Sequence, residues 1–231
     1  MAKYKTLAVW LWCGCVAIPG GAQTAAPPAF TAYLMDGDRE AAIARSAAPA
    51  IVSGQAGVFV LRPSGRYEPL AASANGFHCL IQRSFTVPTT NAAEFYEPKL
   101  VAPICFNAEA SATVMQRDLW LAPLVAAGTP LAEIRRLEAE AYASGRLTYP
   151  SKTAIAYMFS SAQWLGPKVG HWHPHVMIWA PGLTPADLTP AGSGGFGVAS
   201  GFPIMDARYG PKQPLIAIPA ARSIDPDFGG R

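Results

Sequence analysis

Charge is scarce in this chain. Asp, Glu, Lys and Arg make up 14% of its 231 residues, against 51% hydrophobic. That balance excludes a disordered chain, which shows the reverse, and implies a buried core. Lys and Arg form no cluster interleaved with aromatics, so no phosphate-binding footprint is present and nucleic acid is not an expected partner. No apolar run approaches the roughly 20 residues that cross a bilayer. A complete catalytic signature is also missing. Ser160 and Ser161 in YMFSSAQWLG end a strand-like run but lack the glycine-framed elbow of an activated serine. Gly192, Gly194 and Gly197 have the spacing of a dinucleotide fingerprint, yet they lie between a proline-rich loop and another glycine-rich stretch rather than between strand and helix. That segment reads as a loop.

The longest apolar run, TLAVWLWCGCVAI, is about 13 residues and follows Lys3 and Lys5; small residues come next in PGGAQ. This is the order of a secretory signal, with cleavage expected after Ala22 and export to the periplasm or beyond. A retained N-terminal anchor and a lipoprotein cut at Cys15 are the alternatives; the residues before Cys15 fit the second poorly. Removing residues 1–22 takes two lysines and no acid, leaving 16 basic against 15 acidic residues, a net +1. It also takes Cys13 and Cys15. The remaining pair, Cys79 and Cys105, is expected to bridge in an oxidising compartment, closing a loop that stabilises by roughly 3 kcal/mol. Two unconnected core cysteines are the plainer alternative, and a reactive or metal-binding thiol the third, with Cys79 favoured because it follows His78.

The 22 prolines and 21 glycines imply short elements and many loops. After the leader, 23–35 is expected to be a flexible spacer and 36–231 a single α+β domain. Residues 36–47 read as a short helix capped by Asp36 or Asp38. GVFVL (57–61) and GFHCLIQRSFTV (76–87) read as strands, paired as a long hairpin across the turn-rich RPSGRYEPL. In the second, Phe77, Cys79 and Ile81 share one face and His78, Leu80 and Gln82 the other. Two helices follow, 111–128, kinked or divided at Pro123, and 129–145, with Thr129 as cap and Pro130 in the first turn. Leu131, Ile134, Leu137 and Ala141 mark the buried face of the second, and Arg136 with Glu140 a solvated one. Strands return at 154–160, 175–181 and 215–220. The expected fold is α+β, a largely antiparallel sheet with a helical pair inserted between the N-terminal and C-terminal strands.

Three of the four histidines fall in GHWHPHVMIW. In an extended segment, Trp172, Pro174, Val176 and Ile178 would pack on the core while His171, His173 and His175 line the opposite face. Neighbouring same-face imidazoles, about 6.6 Å apart, suit one zinc or copper ion; the outer pair, about 13 Å apart, would need a bend at Pro174. Further ligands would come from His78, Asp206, Glu109 or Asp187. A metal-free proton-handling cleft and a structural edge of hydrogen-bonded or stacked imidazoles stand beside the metal reading.

The segments NGFHCLIQRSF, LVAPICFNAEA and AYMFSSAQWLG with GHWHPHVMIWAP resemble a group of uncharacterised exported bacterial proteins. The resemblance spans most of the mature chain and implies export and one domain, with no activity or catalytic residue to transfer. Two functions remain expected. One is a metal or ligand site on His171, His173 and His175, which in an enzyme would suit metal-assisted hydrolysis or oxidation. The other is a non-catalytic envelope protein binding a small molecule or partner through an aromatic, charge-poor surface.

Overall fold

The computed structural model describes residues 27–184, 187, 204–206 and 212–220. The expected leader (1–22) and the glycine-rich loop around Gly194 lie outside the described residues. Helices are α1 (Gly37–Arg45), α2 (Ala50–Ser53), α3 (Ala92–Phe95), α4 (Ala108–Ala112), α5 (Val114–Ala126) and α6 (Leu131–Ala143). Strands are β1 (Gly57–Leu61), β2 (Tyr67–Ala71), β3 (His78–Gln82), β4 (Ala102–Phe106), β5 (Ala154–Met158), β6 (His175–Trp179), β7 (Ile204–Asp206) and β8 (Leu215–Pro219). They form one sheet in the order β2-β1-β3-β4-β5-β6-β8-β7. All neighbours are antiparallel except β1 and β3. The fold is α+β, with α5 and α6 inserted between the first four strands and the last four.

The expected long hairpin between 57–61 and 76–87 does not form. The turn at 62–66 is itself tight: Arg62 N–H donates to the Arg66 carbonyl (2.9 Å), and Gly65 takes φ +77°, a left-handed value that suits glycine. The chain therefore returns at once as β2, antiparallel to β1. Residues 72–77 then carry it past β1, so that Gly57 and His78 come into parallel register. Pro69 is tolerated in β2 because this is an edge strand.

The central strands β3 and β4 are buried along nearly their whole length because helices cover both faces. Against one face, α1 packs in a cluster with Val58, Val60, Cys79, Ile81 and Cys105. Against the other, α5 and α6 build the larger core around Leu80, Ile104, Phe106, Leu121 and Ile134. The face assignment expected for 77–82 holds. Cys79 and Cys105 are opposite each other in the β3–β4 ladder and are joined by a disulfide on the α1 face.

Local signals explain most helix ends. Asp36 caps α1, its carboxylate accepting from Arg39 N–H at 2.9 Å. The division expected at Pro123 occurs instead at Thr113, whose hydroxyl donates back to the Glu109 carbonyl (2.7 Å) and whose backbone leaves helical geometry; Pro123 sits inside α5. Pro130, rather than Thr129, occupies the cap of α6. The folded part also starts earlier than 36. Residues Phe30–Tyr33 form a helical turn, Tyr33 is buried against Phe85, and the Tyr33 carbonyl accepts from Arg83 Nε at 3.0 Å.

The cross-strand disulfide closes a loop with a sequence separation of 26. In the chain-entropy model, its removal in a Cys79→Ala/Cys105→Ala double variant costs about 3–4 kcal/mol. Urea denaturation of the variant against the parent checks this, with a steeper slope expected because the unbridged denatured chain exposes more surface; a loss well under about 1 kcal/mol would contradict it.

Candidate functional site

The histidine segment is arranged differently from its expected extended form. Strand β6 begins only at His175, and 171–174 lie outside the ladder. Register decides the face: Met158, Ala156 and Ala154 of β5 stand opposite His175, Met177 and Trp179. The small Ala154 and Ala156 leave room in the core for Trp179 and Met177, so His175 points inward with them while Val176 and Ile178 are half-buried on the other side. The sequence carries apolar residues at both parities here, and pairing with β5 selects the one opposite to that expected. His175 is 3% exposed; its Nδ1 lies 2.8 Å from the His173 carbonyl and its ring packs edge-on against Trp172 at 4.3 Å. Burial, opposed by the hydrogen bond to the His173 carbonyl, pushes its pKa down to about 4, so the imidazole is neutral at physiological pH. His171 is exposed and His173 half-buried.

The other candidates are dispersed. His78 shares the sheet face of His175 but is three strands away, roughly 14 Å by strand spacing. Its Nδ1 contacts the Ser111 hydroxyl at 3.1 Å, and burial lowers its pKa. Glu109 accepts from Ser151 N–H (2.8 Å), an interaction that holds its carboxyl below the usual range. Asp187 accepts from the Thr184 amide and hydroxyl. Asp206 pairs with Leu215, at the opposite end of the β8 ladder from the Pro219 that faces His175. Among the described residues, no group of three or more His, Cys, Asp or Glu side chains is gathered where it could hold a metal ion. Ser160 is buried, with its hydroxyl 2.6 Å from that of Ser46.

A different set of residues converges between β3, α5 and α6. Helix α5 buries Val114, Arg117, Asp118, Leu121, Ala122 and Val125, the i, i+3, i+4, i+7 stripe of a core-facing helix, with two charges at its centre. Arg117 reaches Glu138 of α6 and donates from Nη1 to the Thr86 carbonyl at 2.5 Å. Arg135 also pairs with Glu138, at 3.0 Å, and reaches the Thr89 carbonyl. Asp118 is 1% exposed; its Oδ2 accepts from Gln82 Nε2 at 2.7 Å while Oδ1 has no partner. The Nε–H of Arg135 is likewise unpartnered. Both side chains line a cavity of about 180 Å³, which shares Arg135, Glu138, Tyr142 and Tyr149 with an adjoining cavity of about 420 Å³ that Lys212 also lines. Tyr142 and Tyr149 stack face to face, ring centres 4.3 Å apart.

Desolvation lifts the Asp118 pKa to about 7, against the lowering effect of Arg117 and Gln82. Glu138 lies below the usual range: burial opposes its ionisation, but Arg117 and Arg135 outweigh it. The cleft thus holds one carboxyl that exchanges a proton near neutrality beside one that stays ionised. Neither residue was picked out from the sequence, although a charge pair on the core stripe of α5 was a legible sign. Comparison with known proteins yields no matching family model, no matching curated protein and no matching solved structure.

Two outcomes follow. Asp118 retains its proton from about pH 4 to about pH 7 when folded but has lost it when unfolded, so its contribution to stability falls as pH rises through that window. His175 acts oppositely: the unfolded chain binds a proton between about pH 4 and 6.5 that the folded chain refuses, so its contribution falls as pH drops. Each is on the order of 3–4 kcal/mol. Stability of Asp118→Asn should gain on the parent progressively from about pH 4 to 7, as read by denaturant titration at several pH values; a constant difference would refute the burial argument. Arg117→Met should cost about 2–4 kcal/mol by leaving Glu138 with Arg135 alone to compensate it and the Thr86 carbonyl without its donor, and adding Glu138→Gln should recover part of it in a double-variant cycle.

Proposed function

We propose that this chain is an exported protein that binds a small polar molecule in the cleft between β3, α5 and α6, with Asp118 as the central contact. The observation that carries this reading is a pair of buried, unmet polar atoms, Asp118 Oδ1 and Arg135 Nε, on two side chains that line the cavity. Leaving a buried carboxylate oxygen unsatisfied costs about 1–3 kcal/mol, and more when it is charged, so such an atom calls for a partner. Open volume next to it supplies room for one. The two adjoining cavities suit a small molecule, and the stacked tyrosines give them a flat wall. The leader-like N-terminus and the Cys79–Cys105 bridge support export.

This keeps the small-molecule reading drawn from the sequence but moves its site from an aromatic surface to a charged seam. The test is a thermal-shift screen of small acids, amides, amines and sugars against the full chain. Compounds that raise the melting temperature should lose that effect in Asp118→Ala, which removes every polar atom of that side chain, or in Arg135→Met. Hits indifferent to both substitutions would place the site elsewhere. Elemental analysis of tag-free protein is the counter-test: stoichiometric zinc or copper, lost in His173→Ala, would favour a metal-dependent hydrolase or oxidase built on the histidine segment.

A further inference from the structure

The chemistry that the cleft selects follows from what its walls still offer after their internal pairs are satisfied, and the inference rests on the cleft being the binding site. Glu138 is already compensated by Arg117 and Arg135. Arg117 is further committed to the Thr86 carbonyl. What remains is the Nε–H of Arg135, the Oδ1 of Asp118 and the ammonium of Lys212, which is exposed, lines the outer cavity and lies 6.0 Å above the Tyr149 ring. Two of these three are cationic donors. Counting all charged groups on the walls, three cations (Arg117, Arg135, Lys212) face two acids (Asp118, Glu138). A bound cation would meet that excess unfavourably, whereas a bound anion offsets it. The tyrosine pair adds a planar apolar surface.

We infer that the cleft binds small planar carboxylates, the ligand carboxylate accepting hydrogen bonds from Arg135, Lys212 and a protonated Asp118, so that binding is coupled to the proton on Asp118. A carboxylate cannot sit against an ionised Asp118 without like-charge repulsion; against the protonated form it gains a short charge-assisted hydrogen bond. The groups that face Asp118 are Arg117 beside it, Glu138 and Tyr142 from α6, and Gln82 and Tyr67 from the strands. Burial dominates among their effects and keeps the proton in place up to about pH 7. Above that, affinity for a carboxylate should fall about tenfold per pH unit.

Isothermal titration calorimetry of the full chain with benzoate and with its neutral analogue benzamide, at about pH 6 and about pH 8.5, tests this. Benzoate should bind at the lower pH and at least about tenfold more weakly at the higher. Benzamide should bind more weakly than benzoate at the lower pH and show no such dependence. Asp118→Asn, whose amide keeps a donor and does not titrate, should bind benzoate equally at both pH values, and Lys212→Met should weaken it several-fold at both. An unchanged pH dependence in Asp118→Asn would overturn the proton coupling. Benzamide binding as tightly as benzoate at the lower pH, or no benzoate binding in the millimolar range, would overturn the carboxylate class. Hits from the thermal-shift screen that lose their effect in Asp118→Ala would in those cases leave the cleft standing as the site, and their absence would remove both.

Discussion

The guanidinium of Arg117 sets the constraint on which the candidate site depends. It is buried in the apolar stripe of α5, where a charge is tolerated only if its hydrogen-bond donors are met. Two donors are met from two other parts of the chain, Glu138 on α6 and the Thr86 carbonyl just after β3. One side chain therefore fixes the spacing of α5, α6 and the β3 exit. Arg135 repeats the arrangement at Thr89, so the segment that leaves the sheet is held at two carbonyls by two guanidiniums that share one carboxylate. The seam between the helices cannot close into an apolar contact without stranding those charges. The cavities lie where it stays open.

The sheet makes such a polar seam affordable elsewhere in the structure. Strands β3 and β4 bury residues on both faces, and the disulfide ties them together at mid-ladder on the side away from the cleft. Gln82, at the end of the β3 strand, turns its amide to Asp118 from this rigid support. The element that positions the acidic group is thus among the most constrained parts of the fold. A second buried ion pair, Glu40 with Arg83 at 2.9 Å, fastens α1 and the Tyr33 turn to the strands on the opposite face.

How much of this was legible in the sequence depends on the scale at which each feature is determined. Helix α1 and its Asp36 cap, the glycine stops after α5 and α6, the cysteine pairing and the positions of β1, β3, β5, β6 and β8 are written in local residue chemistry, and they were readable. Strand β4, by contrast, forms within 88–110, where Pro88, Pro98 and Pro103 read as an irregular crossing. Features set by pairing partners were not readable either. The direction of β3 relative to β1 depends on a return strand whose sequence, YEPLA, contains a proline and mostly exposed residues and so lacks a strand signature. The face of β6 depends on Ala154 and Ala156 across the ladder, which no periodicity within 171–179 contains. The cleft lay between these cases. Arg117 and Asp118 occupy core positions of an otherwise apolar stripe, a local anomaly, but their partners Glu138, Thr86 and Gln82 are up to tens of residues away in sequence.

Among the described residues, the Gln163 amide is buried without a partner, and the other unmet polar atoms include two groups, one beneath α1 and one along the cleft, whose settings differ. Glu40 Oε2, Arg83 Nη1 and Tyr33 Oη lack partners beneath α1, in a region where Glu40 and Arg83 are 0% and 1% exposed and border neither cavity of the cleft. That pair joins helix to sheet and its unmet atoms face packed protein, so a structural role accounts for it. Asp118 and Arg135 differ in that their side chains line a cavity and their neighbours Arg117 and Glu138 are committed to one another. The inward-turned His175 lacks this quality, since its ring is neutral, its Nδ1 is engaged by the His173 carbonyl and Trp172 covers it. The most conspicuous motif in the sequence is thus spent in part on anchoring the strand, while the quieter charge pair of α5 borders the volume where a ligand would fit.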